Sequence, residues 1–346
     1  MSISPSKPIK LKMATAWRTY NGGSKIREWH GEAGSPDNNF PEEWIMSTVR
    51  ARNSGREDIV EGISMLEDEE ISLLDFIESD PERILGSEHY AKYGSKLGVL
   101  VKIIDSAERL TVQVHPTREK ARALFNSAFG KTECWHILGG RSIDGEEPSI
   151  YFGFKEGITR EIWKDCFDRQ DIPEMLACLH KFPVKAGDTY LIEGGIPHAI
   201  GSGCFLVEIQ EPTDYTVRTE RVTPRGLAVA DFMCHQGLGF ERMFDCFEYE
   251  GYSAATVQER WNIKRRGDVI IDSASTDMFG LSMKDIDGEE YIKTGGCFSG
   301  IYILDGEGKL DGRRIGRSDQ FFIPADCPGF TIEGNIRYIQ YFGPKK

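Results

Sequence analysis

Apolar and polar positions change rhythm several times along the chain. Over residues 72–93, Leu73, Leu74, Phe76 and Ile77, and later Ile84 and Leu85, recur at near-helical spacing, which predicts helix. Residues 97–104 form an almost continuous apolar run broken by Lys102, the signature of a buried strand. Residues 110–115 alternate strictly, so Thr111, Gln113 and His115 share one strand face while Val112 and Val114 share the other. Pro116 then opens a helix reaching Phe125, because proline is tolerated at a first helical position. A strand over 134–138 follows. Residues 157–181 read as helix, divided in two by Pro173. From Gly187 onward short strands alternate with glycine turns, at 190–192, 205–209, 215–218 and, later, 321–323. Many short strands with regular turn signals predict antiparallel jelly-roll barrels, so the expected fold class is mostly β with an inserted or appended helical region at about 60–182. Residues 1–245 are expected to form one barrel domain and 246–346 a second.

Composition narrows the function classes. The chain has 346 residues, 40% hydrophobic and 28% charged, as a folded globular protein with a sizeable core requires. Asp and Glu outnumber Lys and Arg by 55 to 42, for a net charge of −13. That balance speaks against nucleic-acid binding and against docking on an anionic membrane, and it requires any anionic small substrate to find a local cationic pocket. Eight cysteines lie singly, with no C-x-x-C pair. Reduced thiols in the cytoplasm are the expected state. The N-terminus lacks the apolar core of a signal peptide, and no apolar run is long enough to span a bilayer. P-loop, dinucleotide-binding and nucleophile-elbow motifs are absent.

The histidines carry the chemistry. His30, His89, His180 and His235 sit in charged or turn contexts without partners at ligand spacing, and read as surface or packing residues. His136 shares its strand face with Cys134 rather than with Glu133, and is not counted as a ligand. Gln113-x-His115 places two metal-capable groups on one strand face, Glu133 opens the next strand, and His198 follows a turn, Gly194-Gly195-Ile196-Pro197. Two imidazoles, one carboxylate and one amide oxygen suit Zn²⁺ or another divalent first-row metal.

Gly187, Gly195 and His198 fall on the spacing of the second cupin motif, with Glu193 where proline is expected. Residues 306–330 resemble a related barrel without any histidine, so a second, degenerate barrel there is expected to be metal-free and structural. More specifically, Leu110-Thr-Val-Gln-Val-His-Pro116, Lys131-Thr-Glu-Cys-Trp135, Gly195-Ile-Pro-His198, Val207-Glu-Ile209 and Asp214-x-x-x-Arg218 resemble the type I phosphomannose isomerases. So does the opening, with Trp17, Gly22-Gly23 and Glu43-Trp44-x-x-Ser47.

The resemblance implies a cytoplasmic, zinc-dependent cupin enzyme that interconverts mannose 6-phosphate and fructose 6-phosphate through an enediol. It implies one zinc per chain on Gln113, His115, Glu133 and His198, with Arg218, Lys131, Asp214 and Lys102 at the phosphosugar site. Lys131, Lys102 and a metal-bound water are the candidate bases. Many members carry His-Lys-Pro-Glu where this chain has Gly130-Lys-Thr-Glu133, so no proton-transfer role assigned to that histidine carries over. A metal-dependent cupin of another reaction class and a non-catalytic sugar-phosphate-binding cupin are the competing readings.

Overall fold

The structure is a computed structural model that describes residues 4–345. Two antiparallel sheets form the first barrel. One has six strands in the order Thr15–Ala16, Glu42–Ile45, Leu100–Asp105, Cys204–Gln210, Glu133–Gly140 and Thr189–Ile192. The other has five, in the order Val217–Arg218, Gln113–Val114, His198–Ile200, Ser149–Phe154 and Leu179–Pro183. A third sheet takes in the strands between Val269 and Phe342, and Ile9–Leu11 joins its edge beside Gln320–Ile323. The architecture is that of cupin barrels, mostly β with helices appended.

Side-chain alternation explains how the sheets stack. In Leu100–Asp105, Val101 and Ile103 point out of the first barrel, whereas Lys102 and Ile104 point in. Phe205, Val207 and Ile209 likewise point out. The outward set packs against Tyr302, Phe322, Ile339 and Tyr341 of the third sheet, whose alternate residues Ile301, Ile303, Phe321 and Tyr338 form a separate core on its other face. Strands apolar on both faces read as continuous hydrophobic runs, and this is why residues 97–104 look as they do. Glu42 and Glu43 make the same point with charge. Successive residues face opposite ways, so Glu42 enters the first barrel while Glu43 is buried against the third sheet, accepting from Tyr302 Oη at 3.0 Å and Gln320 Nε2 at 3.0 Å.

The helical forecast was too coarse in two places. Residues 72–93 form three short helices, Leu73–Ser79, Pro81–Leu85 and Ser87–Tyr93, rather than one. Pro81 starts the second, and Gly86, at φ +95°, lies so close to the carbonyl oxygen of Gly296 that a Cβ would be 2.7 Å from it. Further on, the break falls at Gln170, in the left-handed region, Pro173 sits in the first turn of Ile172–Ala177 instead of causing the break, and the helix expected to reach residue 181 gives way to the strand Leu179–Pro183. Of the alternating segment 110–115, Gln113 and Val114 pair as a strand. No helix among the described residues is long and apolar enough to cross a membrane.

Candidate metal centre and adjoining pocket

The two sheets of the first barrel deliver facing side chains. Register places Gln113 opposite both His198 and Arg218 in the five-stranded sheet. Glu133 comes from the six-stranded sheet across the barrel, at the start of Glu133–Gly140. His115 follows the strand Gln113–Val114 on the Gln113 face. The Gly194-Gly195 turn brings the two histidines together. The Gly195 N–H donates to the His115 carbonyl oxygen at 2.7 Å, and Gly194 packs so tightly on Pro116 and Thr117 that a Cβ would lie 2.7 Å from the Thr117 nitrogen. Gly195 has φ +92°, which suits glycine alone among common residues.

His115 Nε2 lies 3.1 Å from Glu133 Oε2, His198 Nε2 lies 3.4 Å from Glu133 Oε1, and the Gln113 amide lies 3.4 Å from His198 Nε2. All four side chains are buried. His115 Nδ1 donates to the Tyr215 carbonyl at 2.9 Å and His198 Nδ1 to the Ile196 carbonyl at 2.8 Å. Each ring is thereby fixed as the tautomer with a bare Nε2 turned inward, the arrangement that orients metal-bound histidines. Burial, followed by the Lys131 ammonium, pulls the His115 pKa down to about 3, and burial also lowers that of His198. Both rings are neutral at pH 7. Glu133 is the opposite case: burial alone would raise its pKa, but the Lys131 charge beside it holds it well below the usual carboxylate range.

Lys131 Nζ lies 2.8 Å from His115 Nε2 and 3.0 Å from Glu133 Oε2. The second contact is an ion pair by distance without the direction of a hydrogen bond, so neither buried Glu133 oxygen accepts one. A buried carboxylate with no donor is costly. A divalent cation among Glu133, two bare imidazole nitrogens and, after a turn of its amide, the Gln113 oxygen removes that cost, so the residues fit such an ion. Among the described residues His115, Glu133 and His198 are the cluster close enough to ligate together. The other histidines bind elsewhere: His30 to Glu43, His89 to the Lys96 carbonyl, His136 to Thr189 Oγ1 and His180 to the Tyr252 carbonyl.

A pocket of about 270 Å³ opens beside this cluster. Gln113, Lys131 and Lys102 line its buried end, and Arg52, Ser54 and Leu227 its exposed rim. Arg218 and Asp214 line it as well. Arg218 Nη1 donates to the carbonyls of Thr216 (3.1 Å) and Met233 (2.9 Å), which fixes the guanidinium. Its pKa is lowered by burial, Asp214 opposing that shift and the Arg18 charge adding to it. Lys102 is fully enclosed, 2.8 Å from Glu208 Oε1 and 3.9 Å from Glu42 Oε2. Burial lowers its pKa, but the two carboxylates more than reverse this, so it stays an ammonium.

Sequence reading missed part of this network. Glu208, Glu42, Tyr20, Arg18 and Arg109 all belong to it. Trp44, Lys102, Glu208, Trp135 and Tyr190 are successive cross-strand neighbours in one row of the six-stranded sheet. Trp135 Nε1 donates to Glu208 Oε2 (3.1 Å), and Trp44 Nε1 and Tyr20 Oη donate to Glu42 (2.7 and 2.8 Å). Arg109 grips Glu220 through two bonds of 2.6 and 2.8 Å. The signal that singled out Lys102, a charge flanked by apolar strand residues, is equally present in Val207-Glu208-Ile209.

Glu42 yields a pH prediction. Burial raises its pKa, but Arg18 and Lys102 outweigh this and bring it from 4.5 down to about 2. A depressed carboxylate pKa stabilises the fold above its unfolded value, and that stabilisation is lost as pH falls from 4.5 towards 2. In metal-free protein, Glu42→Gln should cost on the order of 3 kcal/mol at pH 7 and flatten this acid limb. Urea melts of both proteins from pH 7 to 2.5 would measure it; parallel curves would refute the assignment.

Comparison with known proteins agrees with this geometry. The family described as "Phosphomannose isomerase type I, catalytic domain" matches residues 38–131, which include Glu42, Lys102, Gln113, His115 and Lys131. The chain is 26% identical over 331 residues to the "Probable mannose-6-phosphate isomerase GmuF" of Bacillus subtilis (strain 168), covering 92% of this chain and 94% of that protein. It is 27% identical over 267 residues to the mannose-6-phosphate isomerase of Streptococcus mutans serotype c, covering 74% and 78%. A zinc-bound crystal structure of a mannose 6-phosphate isomerase superposes with a TM-score of 0.74 at 16% identity, over 98% of this chain and all of that one. The match over residues 38–131, relatives at 26–27% identity and a shared fold make this chain similar to the type I phosphomannose isomerases.

Proposed function

We propose that the protein interconverts mannose 6-phosphate and fructose 6-phosphate through an enediol, with one zinc ion held by Gln113, His115, Glu133 and His198. The observation that carries this reading is Glu133, buried, ionised and without a donor on either oxygen, facing two imidazoles whose bare nitrogens are turned towards it. The relatives named for this activity, and the zinc-bound structure with this fold, support it. Zinc held there would supply polarisation of the substrate's carbonyl and hydroxyl oxygens, which would lower the cost of removing the C2 proton.

The chain's own groups supply positioning and proton transfer. Arg218 spends Nη1 on two carbonyls, leaving Nη2 and Nε for an oxygen that gains charge. Lys102, kept protonated by Glu208 and Glu42, suits charge stabilisation rather than proton removal. Lys131 stands beside the ligand atoms, where a lysine that has first given up its proton can carry one between C2 and C1. Asp214 sets the field felt by Arg18, Lys102 and Arg218. These cations give a phosphosugar the local positive potential that a chain of net charge −13 otherwise lacks. Residues 1–245 are read as the catalytic domain and 246–346 as its metal-free support. All eight cysteines are free, which suits the reducing cytoplasm.

The test is turnover of mannose 6-phosphate by zinc-loaded protein, followed as fructose 6-phosphate before and after chelation. Activity that disappears with chelator and returns with zinc is the expected result. A folded, zinc-loaded protein without turnover would overturn the isomerase reading.

A further inference from the structure

Every cation lining the pocket has a fixed partner except one. Arg18 Nε lies 3.0 Å from Glu42, Lys102 is paired with Glu208, Arg109 with Glu220, Lys131 with Glu133, and Arg218 is bound to two carbonyls. Arg52, among the described residues, makes no hydrogen bond, ion pair or ring contact, although it lines the mouth of the pocket. An exposed arginine without partners is ordinary. What sets this one apart is how firmly its neighbours are held.

Ala51 is buried against Ala16, Trp44 and Leu100, and its N–H donates to the Glu61 carbonyl at 2.9 Å. On the other side, Asn53 Oδ1 accepts from Arg18 Nη1 at 3.3 Å, which ties the loop to the pocket wall. The loop's far end is held too. The Trp17 N–H donates to Glu61 Oε2 at 3.1 Å, and Arg56 stacks over the Trp17 ring at 5.3 Å. The backbone around Arg52 is thus pinned while its guanidinium stays idle at the rim. Ser54, next but one and also on the rim, forms no side-chain hydrogen bond among the described residues.

We infer that Arg52 is the phosphate-recognising residue of this pocket, a positioning and specificity determinant that captures a dianionic phosphoryl group at the rim while the sugar carbons reach the metal ligands inside. The inference rests on the phosphosugar reading above. A planar guanidinium offers two parallel N–H donors to a phosphate, and a partnerless one gives up no existing ion pair to do so. Because the phosphoryl group takes no part in bond making, Arg52 should act on binding and leave the chemical step alone.

Zinc-loaded wild-type protein and the Arg52→Ala and Arg52→Lys variants would be compared in two assays. Inorganic phosphate binding by calorimetry should weaken about tenfold or more in Arg52→Ala and less in Arg52→Lys. In turnover of mannose 6-phosphate, KM should rise by a similar factor with kcat within about twofold of wild type. Unchanged phosphate affinity, no phosphate binding by the wild type, or a fall in kcat at constant KM would each overturn the inference. If the wild type binds phosphate through Arg52 yet turns over no mannose 6-phosphate, the isomerase reading fails and the phosphate site stands.

Discussion

Replacing His198 by alanine should empty the metal centre and abolish isomerase activity with it. The ring is wholly enclosed, and its Nδ1–H is committed to the Ile196 carbonyl, so only Nε2 is available and it faces Glu133 and Gln113. No other imidazole is placed to substitute: His115 already belongs to the set, and His136 lies on the opposite strand face, bound to Thr189. Loss of a partner that merely orients a ligand costs about 10–100-fold in metal affinity, so loss of a ligand should exceed about 100-fold. Zinc content after gel filtration and a competition titration would measure it, with circular dichroism to show that the fold survives. His136→Ala is the control, since it removes an equally buried strand histidine and should keep its zinc. Full metal content in the His198→Ala protein would sink the ligand assignment.

The sequence brought Gln113, His115, Glu133 and His198 into view because they obey short-range rules. Strict alternation put Gln113 and His115 on one face, and two adjacent glycines announced the turn that presents His198. What it concealed was pairing at long range. Lys102 and Glu208 are 106 residues apart, and Glu42 lies farther still from Glu208; only the strand order sets Lys102 opposite Glu208 and brings Glu42 within 3.9 Å of the same ammonium. A lone charge in an apolar strand says that a partner must exist without saying which. Arg52 carries no periodic signal at all, because its place depends on where a loop is pinned. In the helical region the information was present but misweighted. Pro81 and Gly86 are boundary residues, and the apolar spacing running through them reflects short helices packed on one core rather than a single long one, while the helices either side of Gln170 pack on a different core.

The largest stability effect should come from that buried row. Lys102→Met removes the one cation that touches both Glu208 and Glu42, leaving buried Glu208 with the Trp135 indole while Glu42 keeps Arg18, Trp44 and Tyr20. Burial and the nearby Glu133 charge already raise the pKa of Glu208, with Lys102 opposing them, so without Lys102 the carboxylate must take up a proton or move. Breaking a buried pair by removing one partner costs about 3–5 kcal/mol, whereas removing both charges together is often close to neutral. The single variant should therefore lose about 3–5 kcal/mol in a urea melt, and Lys102→Met combined with Glu208→Gln should recover a large part of it. The Trp135 indole can still donate to the glutamine oxygen, which keeps that side of the row satisfied. If the single variant lies within about 1 kcal/mol of the parent, or the double variant is no more stable than the single, the row is not a coupled unit. Activity separates the two roles of the lysine. The double variant should refold yet remain a poor isomerase, since on the proposed function the pocket still lacks the charge of Lys102 after the fold has regained its balance.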